Sequence, residues 1–192
     1  MKILFSILLL SAVIAGCNRS GIDEYNYLKS KELSSGKRVD SLFFGIYFGM
    51  TSKQFFSHCW EMNKKGVFTD GQNNTAVLYK LNHNELEHDA SMNFYPDFRD
   101  NKIYKMQVSF QYNAWAPWNK QLFADTLMND VVKLYSKWYS GGNPFIKIDD
   151  EKKGSIYVKV DGNRRITIGR YDDMQVKVDY TDLLEEQKLN AQ

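Results

Sequence analysis

Residues 102–112, KIYKMQVSFQY, decide the class of the fold. Apolar and aromatic residues occupy the even positions from 104 to 112, and polar residues occupy the odd positions between them. A period of two residues is typical of a β-strand with one buried face. Shorter runs of the same kind predict further strands at 43–49, 76–82, 90–95, 145–148, 155–160, 165–171 and 174–180.

Two main helices are predicted to cover this sheet. Residues 51–54, TSKQ, form a capping box, and the helix after it carries Phe55, Cys59 and Met62 on one stripe. A second helix is predicted over 118–139, with a stripe made of Phe123, Leu127, Val131, Leu134 and Trp138. The order from residue 41 is β-α-βββ-α-ββββ, which predicts an α+β fold with an antiparallel sheet of about 7–8 strands. An internal pseudo-repeat is an alternative interpretation of this order.

The N-terminus has the pattern of a targeting segment. Lys2 precedes an apolar run from Ile3 to Ala15, which is shorter than the ~20 residues of a membrane span. The residues Ile14-Ala15-Gly16-Cys17 resemble the lipobox of bacterial lipoproteins. The resemblance implies a signal peptide over 1–16, cleavage before Cys17 and lipidation of that cysteine. The alternative is an ordinary cleaved signal with a structural cysteine.

The predicted anchor sets the expected location and organisation. Acyl chains on Cys17 suffice for stable anchoring in a membrane. The residue after the cysteine is Asn18 rather than Asp, which favours the outer membrane; the face of that membrane stays open. Residues 17–40 are expected to be the lipidated cysteine and a polar tether, with a short helix around 24–33 as an alternative, and residues 41–192 a single α+β domain. Cys59 is then expected to be a buried, inert thiol.

The overall composition limits the class of partner. The chain has 192 residues, of which 43% are hydrophobic, and its formal net charge is +2. The hydrophobic content excludes a disordered chain. The near balance of charge gives no broad basic field, so no nucleic acid partner is expected.

A second resemblance lies at the start of the first main helix. Gly49-Met50-Thr51, with Gln54, resembles the SmpA/OmlA-type envelope lipoprotein module and the tandem domains of beta-lactamase inhibitor protein. The resemblance implies helices packed on an antiparallel sheet and binding of other proteins. It identifies no binding residue in this chain. The alternative is a well-capped helix that needs no family.

The loop after 102–112 holds the best candidates for a binding surface. Tyr112, Trp115 and Trp118 lie where binding residues often sit, and tryptophan rings can stack on sugars or anchor a protein. The alternative is that these rings close the end of the core. Arg164 and Arg165, beside the turn at 161–163, form an anion contact or else a charged cross-strand face.

No motif in the sequence predicts catalysis, a metal or a cofactor. His83 and His88, in a segment that also holds Glu85 and Glu87, are five residues apart and lie in a predicted loop, which favours a solvated hairpin loop over a metal site. A nucleophile elbow and a phosphate loop are both missing from the sequence. We therefore expect a non-catalytic envelope lipoprotein that binds a protein or an envelope polymer. The alternatives are an envelope hydrolase acting on glycan or cell-wall material, and a structural spacer.

Overall fold

The computed structural model describes residues 20–71, 76–150 and 154–191. The predicted signal peptide and the lipidation site Cys17 lie outside the described residues. The described part holds one sheet of eight strands, all paired antiparallel, which confirms the predicted α+β class. Within these ranges no helix is both long enough and apolar enough to cross a membrane.

The strands follow one another as two meanders. Their bounds are β1 Phe68–Asp70, β2 Val77–Leu81, β3 Ala90–Arg99, β4 Lys102–Tyr112, β5 Ile146–Asp150, β6 Gly154–Asp161, β7 Arg164–Arg170 and β8 Gln175–Asp182. The order across the sheet is β1-β2-β3-β4-β8-β7-β6-β5, so the two meanders join at β4 and β8. The helices are α1 Gly21–Ser34, α2 Ser52–Lys64, α3 Ala124–Trp138 and α4 Leu183–Asn190.

From α2 onward the element order agrees with the predicted one except for one short strand. Before α2, residues 43–49 do not form the predicted strand, because Phe44 (φ 49°) and Gly45 (φ 81°) turn the chain out of the extended conformation. The alternating burial of Ile46, Phe48 and Met50 is nevertheless present, since this loop runs through the core. The short edge strand β1 was missed. Each half therefore consists of a helix followed by a four-stranded meander.

The capping box predicted for α2 is present. The hydroxyl of Thr51 accepts a hydrogen bond from the backbone N–H of Gln54, and the side chain of Gln54 accepts one from the backbone N–H of Thr51. Gly66 adopts a positive φ of 72° just after the helix. Local sequence signals therefore define both ends of α2.

Helix α3 packs on one face of the sheet, across β4, β7 and β8. Its predicted stripe is correct at Leu127, Val131 and Leu134, which are buried. The helix begins at Ala124 rather than at 118, because a short 3-10 turn at Lys120–Leu122 precedes it. The backbone N–H of Ala124 donates to the carbonyl of Asp173, which ties the start of α3 to the turn between β7 and β8.

Helix α1 packs on the opposite face, over β5 and β6. Its side chains Tyr25 and Leu33 contact a small apolar cluster built on Val158, Val160 and Leu183. The alternative prediction of a helix around 24–33 is thus correct, and the packed structure includes residues before the expected boundary at 41.

Candidate functional site

The three predicted aromatic candidates have different environments. Tyr112 is fully buried, and its hydroxyl donates a 2.8 Å hydrogen bond to Oδ2 of Asp130. Trp115 is half-buried, with its ring 6.0 Å from that of Phe123. Trp118 is 84% exposed. The structure therefore assigns Tyr112 and Trp115 to packing and leaves Trp118 as the free aromatic surface of this loop.

A buried carboxylate organises the base of this region. Asp130 on α3 accepts the Tyr112 hydroxyl and the backbone N–H of Glu87 (3.2 Å), and its Oδ1 lies 3.6 Å from Nζ of Lys133. Burial of the phenol, and then its bond to Asp130, raise the pKa of Tyr112 well above its usual value. The phenol therefore remains a donor at neutral pH. Asp130 holds the loop at residues 82–89 against α3 by accepting the backbone N–H of Glu87.

Two open clefts flank the loop at 82–89. The larger, of about 520 Å³, separates it from residues 112–114 and is lined by His83, Glu87, His88, Asp89 and Asn113 among others. The smaller, of about 240 Å³, lies between the same loop and the Lys133–Lys137 side of α3. The larger cleft and Trp118 belong to the same strand-to-helix connection. Asn113, Ala114 and Leu122 of this connection line the cleft, and Trp118 lies between them in the chain.

The histidines and acids of this loop do not converge on one point. His83 and Glu87 are exposed, while the ring of His88 packs edge-on against Tyr112 at 5.4 Å. Among the residues that the structure describes, no group of three or more His, Cys, Asp or Glu side chains is placed to hold a metal ion. The arrangement suits contact with a large ligand on an open surface.

Arg164 and Arg165 are both used inside the fold. Arg164 is buried, donates to Asp161 (3.2 Å) and to the carbonyl of Ser41 (2.6 Å), and lies over the ring of Tyr139. Arg165 makes a two-pronged ion pair with Glu186, at 2.6 and 3.0 Å. Both guanidinium groups are paired within the fold and do not form a contact site for an external anion. They fit the alternative of cross-strand charged residues, although Arg164 is buried and not part of a surface.

A buried ionic cluster around Arg164 had no signal in the sequence. Asp161 lies between two cations, with Oδ2 3.3 Å from Nζ of Lys159 and 3.2 Å from a nitrogen of Arg164. Its other oxygen accepts the backbone N–H of Asn143 at 2.8 Å. The side chain of Asn143 in turn donates to Glu32 of α1. This cluster ties α1, the α3–β5 loop and the β6–β7 hairpin together, which is a structural role.

Cys59 and His58 do not form a nucleophile pair. Burial raises the pKa of the Cys59 thiol to about 12, so little thiolate exists at neutral pH. Nε2 of His58 lies 2.7 Å from the carbonyl oxygen of Phe44 and is engaged there. Both side chains contribute to holding α2 against the loop at 41–50.

Sequence reasoning also missed a surface on α2. Phe56 and Trp60 adjoin the stripe of Phe55, Cys59 and Met62 on this helix, yet they are 51% and 62% exposed. The signal was present in their spacing of one helical turn and in the lysines on either side of them.

Comparisons with protein-family models, with curated proteins and with solved structures find no match for this chain.

Proposed function

We propose that this protein is a non-catalytic, lipid-anchored protein of the bacterial envelope, held at the outer membrane through Cys17. Its α+β domain binds a protein or an envelope polymer through the surface that contains Trp118. The observation that carries the binding proposal is the 84% exposure of Trp118, in the same strand-to-helix connection whose residues Asn113 and Leu122 line an open cleft. Exposing a large aromatic ring to water is unfavourable, and such rings are frequent anchors of binding surfaces.

The support for the anchor comes from the sequence. An apolar segment, a lipobox-like sequence and Cys17 follow one another in the order that lipoprotein processing requires. Labelling cells with radioactive palmitate tests it, and we expect label in the wild type and none in Cys17→Ala. Equal labelling of both proteins would refute the anchor.

The binding proposal is tested at Trp118 itself. A photo-crosslinking amino acid at position 118 should give a discrete adduct in intact cells. The matched control is the same amino acid at Tyr171, an exposed aromatic on the β7–β8 turn. If both positions give the same adducts, or neither gives any, Trp118 is not the binding surface, and the structural spacer becomes the better hypothesis.

One observation favours the hydrolase as a second candidate. His83, Glu87, His88 and Asp89 line the cleft of about 520 Å³, and histidine with carboxylates is the donor set that acid–base hydrolysis uses. Purified protein incubated with cell-wall glycan should release soluble fragments if this candidate is correct. Release must also fall in a Glu87→Gln variant, because otherwise the cleft is not its source.

A further inference from the structure

Helix α2 displays an aromatic stripe flanked by lysines. Lys53, Phe56, Trp60 and Lys64 recur three or four residues apart and therefore share one side of the helix, and all four are exposed. We call these four residues the α2 stripe. They lie at the β1 edge of the sheet, away from the loop that contains Trp118.

The exposure of the stripe does not come from a loosely held helix. The opposite side of α2 places Phe55 in the core at full burial, and Cys59 packs against the same core. A ring contact joins the stripe to the sheet, since the ring centre of Phe56 lies 6.4 Å from that of the half-buried Phe98 on β3. Exposed aromatic rings gathered in this way are typical of an interaction site.

Helix α2 itself carries a net positive charge. Helix α2 and its C-cap carry Lys53, Lys64 and Lys65 against a single acid, Glu61. Glu61 pairs with Lys64 at 3.2 Å, while Nζ of Lys64 also lies 3.4 Å from the centre of the Trp60 ring. A ligand that suits this surface must accept aromatic rings and bring negative charge.

We propose that the α2 stripe is a second membrane contact that docks on anionic lipid headgroups. Tryptophan and phenylalanine on one helix side insert at headgroup level, and lysines beside them reach the phosphates. By itself the stripe is expected to bind anionic bilayers weakly and reversibly. A first attachment that keeps the domain near the bilayer strengthens this contact by raising its effective concentration.

The proposed anchor and the α2 stripe lie toward opposite edges of the sheet, because α1 packs over β5 and β6 whereas α2 lies against β1. Cys17 lies within about 14 Å of chain from Gly21, and the eight strands span about 34 Å. This two-contact arrangement rests on the proposed anchor, whereas the lipid contact of the stripe does not.

Vesicle flotation of the chain from residue 17 onward, carrying Cys17→Ser, tests the stripe with neither the acyl chains nor the apolar run of the signal peptide. The vesicles contain phosphatidylcholine, with or without phosphatidylglycerol. We expect binding to the anionic vesicles alone, and a loss of about fivefold in partitioning for each of Lys53→Gln and Lys64→Gln. Trp60→Ser should lower it by about tenfold. Trp118→Ala is the matched control and should bind as the parent does, and circular dichroism checks that every variant is folded.

Each outcome decides the proposal. Loss of binding in the stripe variants, with retention in Trp118→Ala, supports it. Failure of the parent to bind anionic vesicles, or equal binding by the stripe variants, overturns it. Stripe-dependent binding of polyglutamate without vesicle binding also overturns it, because the occupant is then an acidic polypeptide. None of these results depends on palmitate labelling, so the anchor and the stripe can fail separately.

Discussion

Replacing Asp161 by Asn should destabilise the protein strongly, because it leaves two buried cations without their anion. The side chains of Asp161, Lys159 and Arg164 are 4%, 3% and 6% exposed, so water can replace little of the lost attraction. Removing one partner of a buried ion pair costs about 3–5 kcal/mol. Lys159 also donates to the carbonyl of Gly141 at 3.0 Å, which places our expectation at the lower end, about 3 kcal/mol.

Urea unfolding followed by circular dichroism measures this loss. With a slope of about 2 kcal/mol per M, a loss of about 3 kcal/mol moves the midpoint down by about 1.5 M. Asp125→Asn is the matched control, since this carboxylate is 71% exposed and pairs with Arg170 at the surface. That variant should lose less than about 1 kcal/mol. Adding Lys159→Met to Asp161→Asn removes one stranded cation and should restore part of the stability.

A small effect would refute this reasoning. If Asp161→Asn and Asp125→Asn shift the midpoint equally, the buried cluster contributes no more than a surface pair. The attachment of the β6–β7 hairpin would then depend on apolar packing and backbone hydrogen bonds alone.

Three further predictions concern titratable groups. The hydrogen bond from the backbone N–H of Gly162 is the largest cause that lowers the pKa of Glu32 below its ordinary value of 4.5. The ionised Glu32 should therefore stabilise the fold above pH 4.5, and this stabilisation should disappear as the pH falls through the lowered pKa. The urea midpoints of wild type and Glu32→Gln should converge at acid pH, and a gap that stays constant with pH would contradict this. The Cys59 thiol, with a pKa of about 12, should react with a thiol reagent at neutral pH only when urea unfolds the protein, so rapid native labelling would disprove its burial. Tyr112→Phe should lower the free energy of unfolding by about 2 kcal/mol, measured by calorimetry, because the buried Asp130 carboxylate loses a hydrogen-bond donor. An unchanged melting temperature would mean that a water molecule replaces the lost donor.

The regular elements were the most predictable part of the fold. The strand at 102–112 was predicted with the bounds that β4 has, because alternation over many residues is a strong local signal. The ends of α2 could be predicted equally well, since a capping box and a following glycine act within a few residues. Residues 43–49 were misassigned for the same reason. A loop that crosses the core alternates buried and exposed residues as a strand does, and periodicity alone cannot separate them.

The candidate site was predictable only as a location. The loop at 112–118 was identified from its aromatic residues. The alternation of β4 predicts that Tyr112 is buried, and Asp130 accepts its hydroxyl there, but no local pattern tells that Trp115 is half-buried and Trp118 exposed. The exposure of Trp60 had only a weak signal in the flanking lysines, since an aromatic residue beside a buried stripe is more often covered than free.

The sequence by itself determined the α+β class, the positions of most strands, and the expectation of a lipid anchor at Cys17. These follow from periodicity, capping and short motifs, which act over neighbouring residues. Only the tertiary structure decided that β4 pairs with β8, that α1 packs on the sheet instead of extending as a tether, and that Arg164 is buried in an ionic cluster. Those outcomes depend on contacts between residues far apart in the chain, and the free energy of such contacts is set by burial and pairing that no local pattern encodes.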